Sequence, residues 1–186
     1  MDPGGLSISP GPPREPRMIE LFGLYEYNEW ANDRTIASLR VLPEDDYIRD
    51  LGGSWPTLRA TFVHIAGATD AWAERFAGND VLVLPTEADL PKLEDAVRVL
   101  LSAQEKHRNH LRNLTRDRLE RTFSWTNLSG EVKTSPFEIV VRHVVNHQTY
   151  HRGQIASMVR RVGGKPIATD MVRWGIEIHG SQTSGR

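Results

Sequence analysis

Apolar side chains recur at spacings of three and four residues in four long runs, and each run predicts a helix. In the first, over 18–40, Leu21, Leu24, Tyr25, Asn28, Ala31, Thr35, Ile36 and Leu39 share one stripe. Asn28 lies within that stripe and Asn32 one turn on, so they read either as hydrogen-bonded interior amides or as the polar wall of a cavity. The second run, over 56–77, places Leu58, Thr61, Phe62, Ile65, Ala68, Thr69 and Trp72 on one face, with Ser54 as the expected cap and Pro56 in the first turn. The third, over 92–117, alternates spacings of four and three through Leu93, Val97, Leu100, Gln104, His107, Leu111 and Leu114, a heptad seam. The fourth, over 135–162, has Ser135 as N-cap, Pro136 at the first position and Glu138 at the third, close to a capping box. Gly163-Gly164 ends it. Gly153 inside this run costs about 1 kcal/mol relative to alanine, which points to close approach of another helix.

Between the third and fourth runs the period changes. Phe123-Ser124-Trp125-Thr126-Asn127 and Glu131-Val132-Lys133 flank Leu128-Ser129-Gly130, the pattern of a short hairpin or extended crossover. Thr169 or Asp170 is placed to cap a short last helix, 171–178, that carries Trp174. The expected fold is all-α: a four-helix bundle with a short extended or hairpin insert before the fourth helix and a short C-terminal helix.

The chain has 186 residues, enough for one domain with a full core. Residues 18–180 are read as that domain. The proline- and glycine-rich stretch 1–17 is read as a disordered leader without a secretory h-region, and 181–186 as a frayed tail. A net charge of −1 and the lack of a basic cluster argue against nucleic acid as a partner. No apolar run is long enough to span a bilayer, so no membrane partner is expected either. There is no cysteine, hence no disulfide and no protein thiolate, which fits a cytoplasmic setting.

The chemistry concentrates in the fourth run. His143, His147 and His151 follow one another four residues apart and so lie on one helical face. His147 and His151 form a two-histidine metal clip, in preference to a hydrogen-bonded core stripe. His64, beside the stripe of the second run, is the candidate third ligand. His107 reads as a core histidine and His110 as solvated. Residue 148 is glutamine, so the His-Glu-x-x-His protease pattern is absent and no acidic base stands beside the pair. Tyr150 and Arg152 flank the ligands. Arg152 is expected to pair with an acidic group on a partner helix, ahead of a role in binding a substrate carboxylate.

Several of these stretches together resemble the DinB-like superfamily. His147-Gln148-Thr149-Tyr150-His151-Arg152-Gly153-Gln154 resembles its signature, and Tyr27-Asn28-Glu29-Trp30-Ala31-Asn32 its opening motif. Phe62-Val63-His64-Ile65 followed by Trp72 is similar to its second-helix motif, Phe123 to Glu131 to its extended insert, and Thr169-Asp170 also fits. The resemblance covers Met18 to about Ile178. It implies one divalent metal on His64, His147 and His151, and frequent homodimers. Relatives include transferases and isomerases that use low-molecular-weight thiols, and proteins described as metal-dependent hydrolases; many were first noticed as damage-inducible.

Three protein ligands leave a metal position open, where a thiol or water loses its proton near neutral pH. Zinc or nickel is the expected ion. The favoured function is transfer of a low-molecular-weight thiol, supplied by diffusion, to a small-molecule acceptor. The alternatives are a metal-dependent hydrolase of a small molecule and a non-catalytic, stress-related protein with a structural metal. In the last case His143 or His107 would close the coordination sphere; otherwise His143, with Asn28, Asn32 and Tyr150, lines the pocket or supports the ligands. Trp30 lies off the apolar stripe and is the candidate dimer-interface residue.

Overall fold

A computed structural model describes residues 17–180. The expectations of a disordered leader and a frayed tail therefore lie outside the described residues, except that Arg17 is the first residue of a helix. The element order is α1 (Arg17–Arg40), α2 (Glu44–Tyr47), α3 (Leu58–Phe76), α4 (Leu93–Arg112), α5 (Arg116–Leu119), β1 (Thr122–Thr126), β2 (Val132–Pro136), α6 (Phe137–Arg161) and α7 (Met171–Gly180). The four long helices form a closed ring: α3 packs on α4 and α6, and α1 packs on α6 and α4. This is the expected all-α bundle with its hairpin insert.

The boundaries moved where polar side chains found other work. The second long helix starts at Leu58 because Thr57 is the cap; its hydroxyl accepts the Ala60 N–H at 2.8 Å. Pro56 keeps Trp55 out of helical backbone, which displaces the start expected after Ser54. The third helix stops at Arg112, and Thr115 caps α5 separately by accepting from Arg118 N. Ser135 does not cap the fourth helix. It pairs with Phe123 in the antiparallel hairpin, and Pro136 precedes the first helical residue with no side-chain cap bond. In the hairpin loop, Asn127 Oδ1 accepts the backbone N–H of Ser129 and Glu131, and Gly130 supplies the left-handed φ of 81°.

The far end of α6 closes as expected. Gly163 has φ 83°, Gly164 N–H donates to Val159 O at 2.8 Å, and Gly163 N–H to Arg160 O at 3.0 Å. This is the paired-bond arrangement of a Schellman motif. Gly153 is a correction: a Cβ there would meet nothing within 4 Å, so no helix approaches it. Close approach occurs instead at Gly67 of α3, where a Cβ would come 2.6 Å from Pro85 Cδ in the loop between α3 and α4.

The core falls into two apolar compartments. One gathers Leu39, Leu58, Phe62, Ile65, Leu100 and Val159. The other gathers Leu21, Tyr25, Phe76, Leu111, Phe137 and Val144. Each such side chain contributes roughly 1.5–3 kcal/mol on burial. Along all four long helices, the residues between the two compartments include buried polar groups: Asn28 and Asn32, Thr69, Gln104 and His107, Gln148, His151 and Arg152. The bundle thus has a polar waist, and the clustered histidines belong to it.

Helix α7 lies on α1. Trp174 meets Tyr27 edge-on, with ring centroids 5.9 Å apart, and Trp30 donates its indole N–H to Glu177 at 3.1 Å. Trp30, expected at an interface, is half-buried within the chain and carries the Arg34 guanidinium over its ring at 4.5 Å. Among the described residues no helix is long and apolar enough to cross a membrane.

Candidate metal centre

The helical spacing of His147 and His151 places both rings over one point on α6, and α3 brings His64 to the same point. His147 Nε2 lies 3.2 Å from His64 Nε2 and 3.2 Å from His151 Nε2. The ligating atoms of the three all lie within 4.8 Å of one another, in a group that could hold a metal ion. Two nitrogens each about 2.1 Å from a common ion stand roughly 3.0 Å apart at a right angle and roughly 3.4 Å apart at the tetrahedral angle. The observed 3.2 Å falls between these.

The protonation chemistry agrees with that spacing. His151 Nδ1 lies 2.7 Å from Gln154 Oε1, an acceptor, so Nδ1 carries the proton and Nε2 keeps its lone pair for the cluster. Burial, with the neighbouring His151 adding to it, pushes His64 down to about 4. Burial and then the charges of His151, His64 and His143 push His147 down to about 3. His151 is also lowered by burial, against the raising effect of the hydrogen bond it donates to Gln154 Oε1. All three are therefore neutral near pH 7, the ligating form. His64 Nδ1 is buried without a partner, and its ring is held by Trp55, stacked at 4.2 Å with an interplanar angle of 22°.

The other expected site residues are distributed around this group. His143 is exposed; its ring is 5.6 Å from that of His147 and meets Trp72 edge-on, and it is not in the cluster. His107 is also outside it, 2% exposed, with a ring nitrogen 2.9 Å from Thr69 O. Neither candidate for a closing fourth ligand takes that place. His110, expected in solvent, is half-buried and bonded to Ala73 O at 3.0 Å. Tyr150 is exposed, its ring edge-on to His151 at 5.1 Å.

Asn28 and Asn32 are interior amides. Both donate to Gln148 Oε1, at 3.1 and 2.8 Å, and both accept from Arg152 Nη1. Arg152 also donates to Thr149 Oγ1 at 2.8 Å and lies over the Tyr27 ring. The expected acidic partner of Arg152 is replaced by amide oxygens. At 3% exposure, Arg152 is also too buried to serve as a surface carboxylate receptor. The network sits on the neighbouring face of α6, because positions 148 and 152 each follow a ligand by one residue, about 100° of helical turn.

Two supports of the cluster were not assigned roles from the sequence. Gln154 lies three residues after His151, a helical contact spacing that could have found it. Trp55 lies before α3 in irregular backbone, where no periodicity signals its stacking on His64.

A model of the DinB family matches residues 18–177 of the chain. Protein DinB of Bacillus subtilis (strain 168) is 29% identical over 156 residues, which cover 80% of this chain and 90% of that protein.

Proposed function

The chain belongs to the DinB family, and from that premise we propose that it is a metal-dependent enzyme that transfers a low-molecular-weight thiol to an electrophilic small molecule. The convergence of three neutral imidazoles, Nε2 atoms inward, carries this reading. His64, His147 and His151 would hold one divalent ion, zinc or nickel by donor type. When bound, the ion supplies the positive charge that lowers the pKa of a thiol at its open position.

The chain's own residues supply position and surroundings. Gln154 fixes the His151 tautomer, and Trp55 fixes the His64 ring. On the His143 side, Trp72 and Trp125 meet edge-on at 5.4 Å and form an aromatic shelf suited to an apolar acceptor. The sulfur forms the new bond to the acceptor carbon. The thiol proton passes to solvent, and the acceptor's leaving group or π bond takes the displaced electron pair.

A hydrolase is the second reading. The absence of an acid from the cluster weighs against it, because water activation gains more from a carboxylate base than thiol activation does. Asp70, on the same helix as His64, is engaged by Lys106 at 2.7 Å. The test is a conjugation assay on metal-loaded protein with a panel of small thiols and a model electrophile. Turnover that requires metal and disappears in His151→Ala supports transfer. Ester or amide hydrolysis without any thiol replaces it with the hydrolase. Homodimerisation through the face near Trp30 is part of the proposal, tested by light scattering at tens of micromolar, on the order of concentrations where standard interfaces hold.

A further inference from the structure

A groove of about 200 Å³ lies behind two residues that support the histidine cluster, and none of the three histidines lines it. Its walls include Trp55, Thr61, Gln154, Ser157, Met158 and Arg161. Two of these touch the cluster: Trp55 stacks on His64, and Gln154 bonds His151. The groove therefore starts at the supports of the metal ligands and runs along α6 towards its C-terminus. The opposite wall is the loop holding Gly52 and Gly53, both at positive φ, where an added Cβ would meet nothing within 4 Å.

The lining is apolar or neutral except at the far end. Arg161 is its only charged residue. Arg160 and Arg161 share the last turn of α6, where positive charge complements the helix dipole. Their surroundings differ. Arg160 donates to Ala156 O at 3.3 Å, whereas Arg161 lines the groove and has no acidic partner among the described residues.

The dimensions select a ligand shape. From His151 to Arg161 the helix rises about 15 Å; both side chains lean back towards the N-terminus, and the gap narrows only because the longer arginine reaches further back than the histidine. An extended tripeptide spans roughly 10–11 Å. A volume of about 200 Å³ lies below the ~300–1,000 Å³ of pockets that enclose a whole ligand, so the groove fits an arm of a molecule whose head lies elsewhere.

We propose that this groove is the subsite for the tail of the thiol co-substrate, an extended, peptide-sized chain ending in a carboxylate that pairs with Arg161 while its sulfur reaches the histidine cluster. This rests on the thiol-transfer reading above. Trp55 supplies an apolar wall shared by the tail and the His64 ring. The guanidinium supplies a two-pronged match to the carboxylate.

Calorimetric titration of metal-loaded protein separates the two readings. The probes are glutathione, its dimethyl ester, and S-methylglutathione, which keeps the carboxylates but has no thiol. Glutathione is expected to bind wild type at least 5-fold more tightly than its ester. Arg161→Gln should remove that preference while leaving metal content and ester binding unchanged. Equal affinity for acid and ester in wild type, or a preference that persists in Arg161→Gln, overturns the subsite. If glutathione binds no better than S-methylglutathione, yet both keep their dependence on Arg161, the groove stands and thiol engagement at the cluster is what fails. A complete lack of binding by all three probes overturns the subsite as well.

Discussion

The histidine in the core sets a pH dependence that can be worked from the structure. His107 is 2% exposed, lies between Tyr25 and Phe76, and donates a ring N–H to Thr69 O at 2.9 Å. Burial pushes it down to about 4, against the raising effect of the Thr69 carbonyl; His110 and Lys106 also lower it, and Asp70 raises it. In the unfolded chain it titrates near ~6.5. Between those values the unfolded chain binds a proton that the folded chain does not. Stability from His107 is therefore complete above about pH 6.5 and is lost as pH falls towards 4. The gap of about 2.5 pH units corresponds to roughly 3 kcal/mol. The assay is urea denaturation of metal-free wild type and His107→Gln, followed by tryptophan fluorescence, at steps from about pH 7.5 to 4.5. Glutamine keeps an amide donor for the Thr69 carbonyl but cannot titrate. The stability difference between the two should shrink by about 2–3 kcal/mol across the series. A difference that stays constant with pH would show that His107 is not held neutral by burial.

Removing the partner of His151 Nδ1 in Gln154→Ala should weaken metal affinity about 10- to 100-fold by chelator competition, with the helical circular dichroism unchanged. Two glycines should respond with opposite signs. Gly153→Ala has open space for its Cβ and should stabilise by about 0.5–1 kcal/mol, whereas Gly67→Ala drives a Cβ against Pro85 and should destabilise by about 1–3 kcal/mol, both read from denaturant midpoints.

The long helices were legible because their apolar spacing survives every local detail. Ile36, Phe62 and Leu100 lie on the stripes that the sequence marks, and all are buried. The clip of His147 and His151 was legible for the same reason: a four-residue spacing is geometry in itself. His64 could be offered only as a candidate from its run, since which neighbour faces α6 depends on how α3 rotates in the bundle. The ends were less legible. Ser54, Thr57, Thr115 and Ser135 are all competent caps by type, and only tertiary packing chooses among them. Ser135 is drawn into the hairpin ladder, while Thr57 reaches Ala60 N. Arg152 shows the same limit. A cation at that position suggests an acidic partner, but the waist supplies the side-chain oxygens of Asn28 and Asn32. Gly153 misled because a helical glycine is usually explained by crowding, and here its surroundings are open.

The claim that His64, His147 and His151 hold a single divalent ion is tested most directly by metal analysis of purified protein alongside His147→Ala. His147 is the ligand to remove, since its Nε2 lies 3.2 Å from both of the others. Wild type should carry one equivalent of zinc or nickel per chain that a chelator removes. The variant should carry almost none while keeping its helical spectrum. Full metal occupancy in folded His147→Ala would contradict the account.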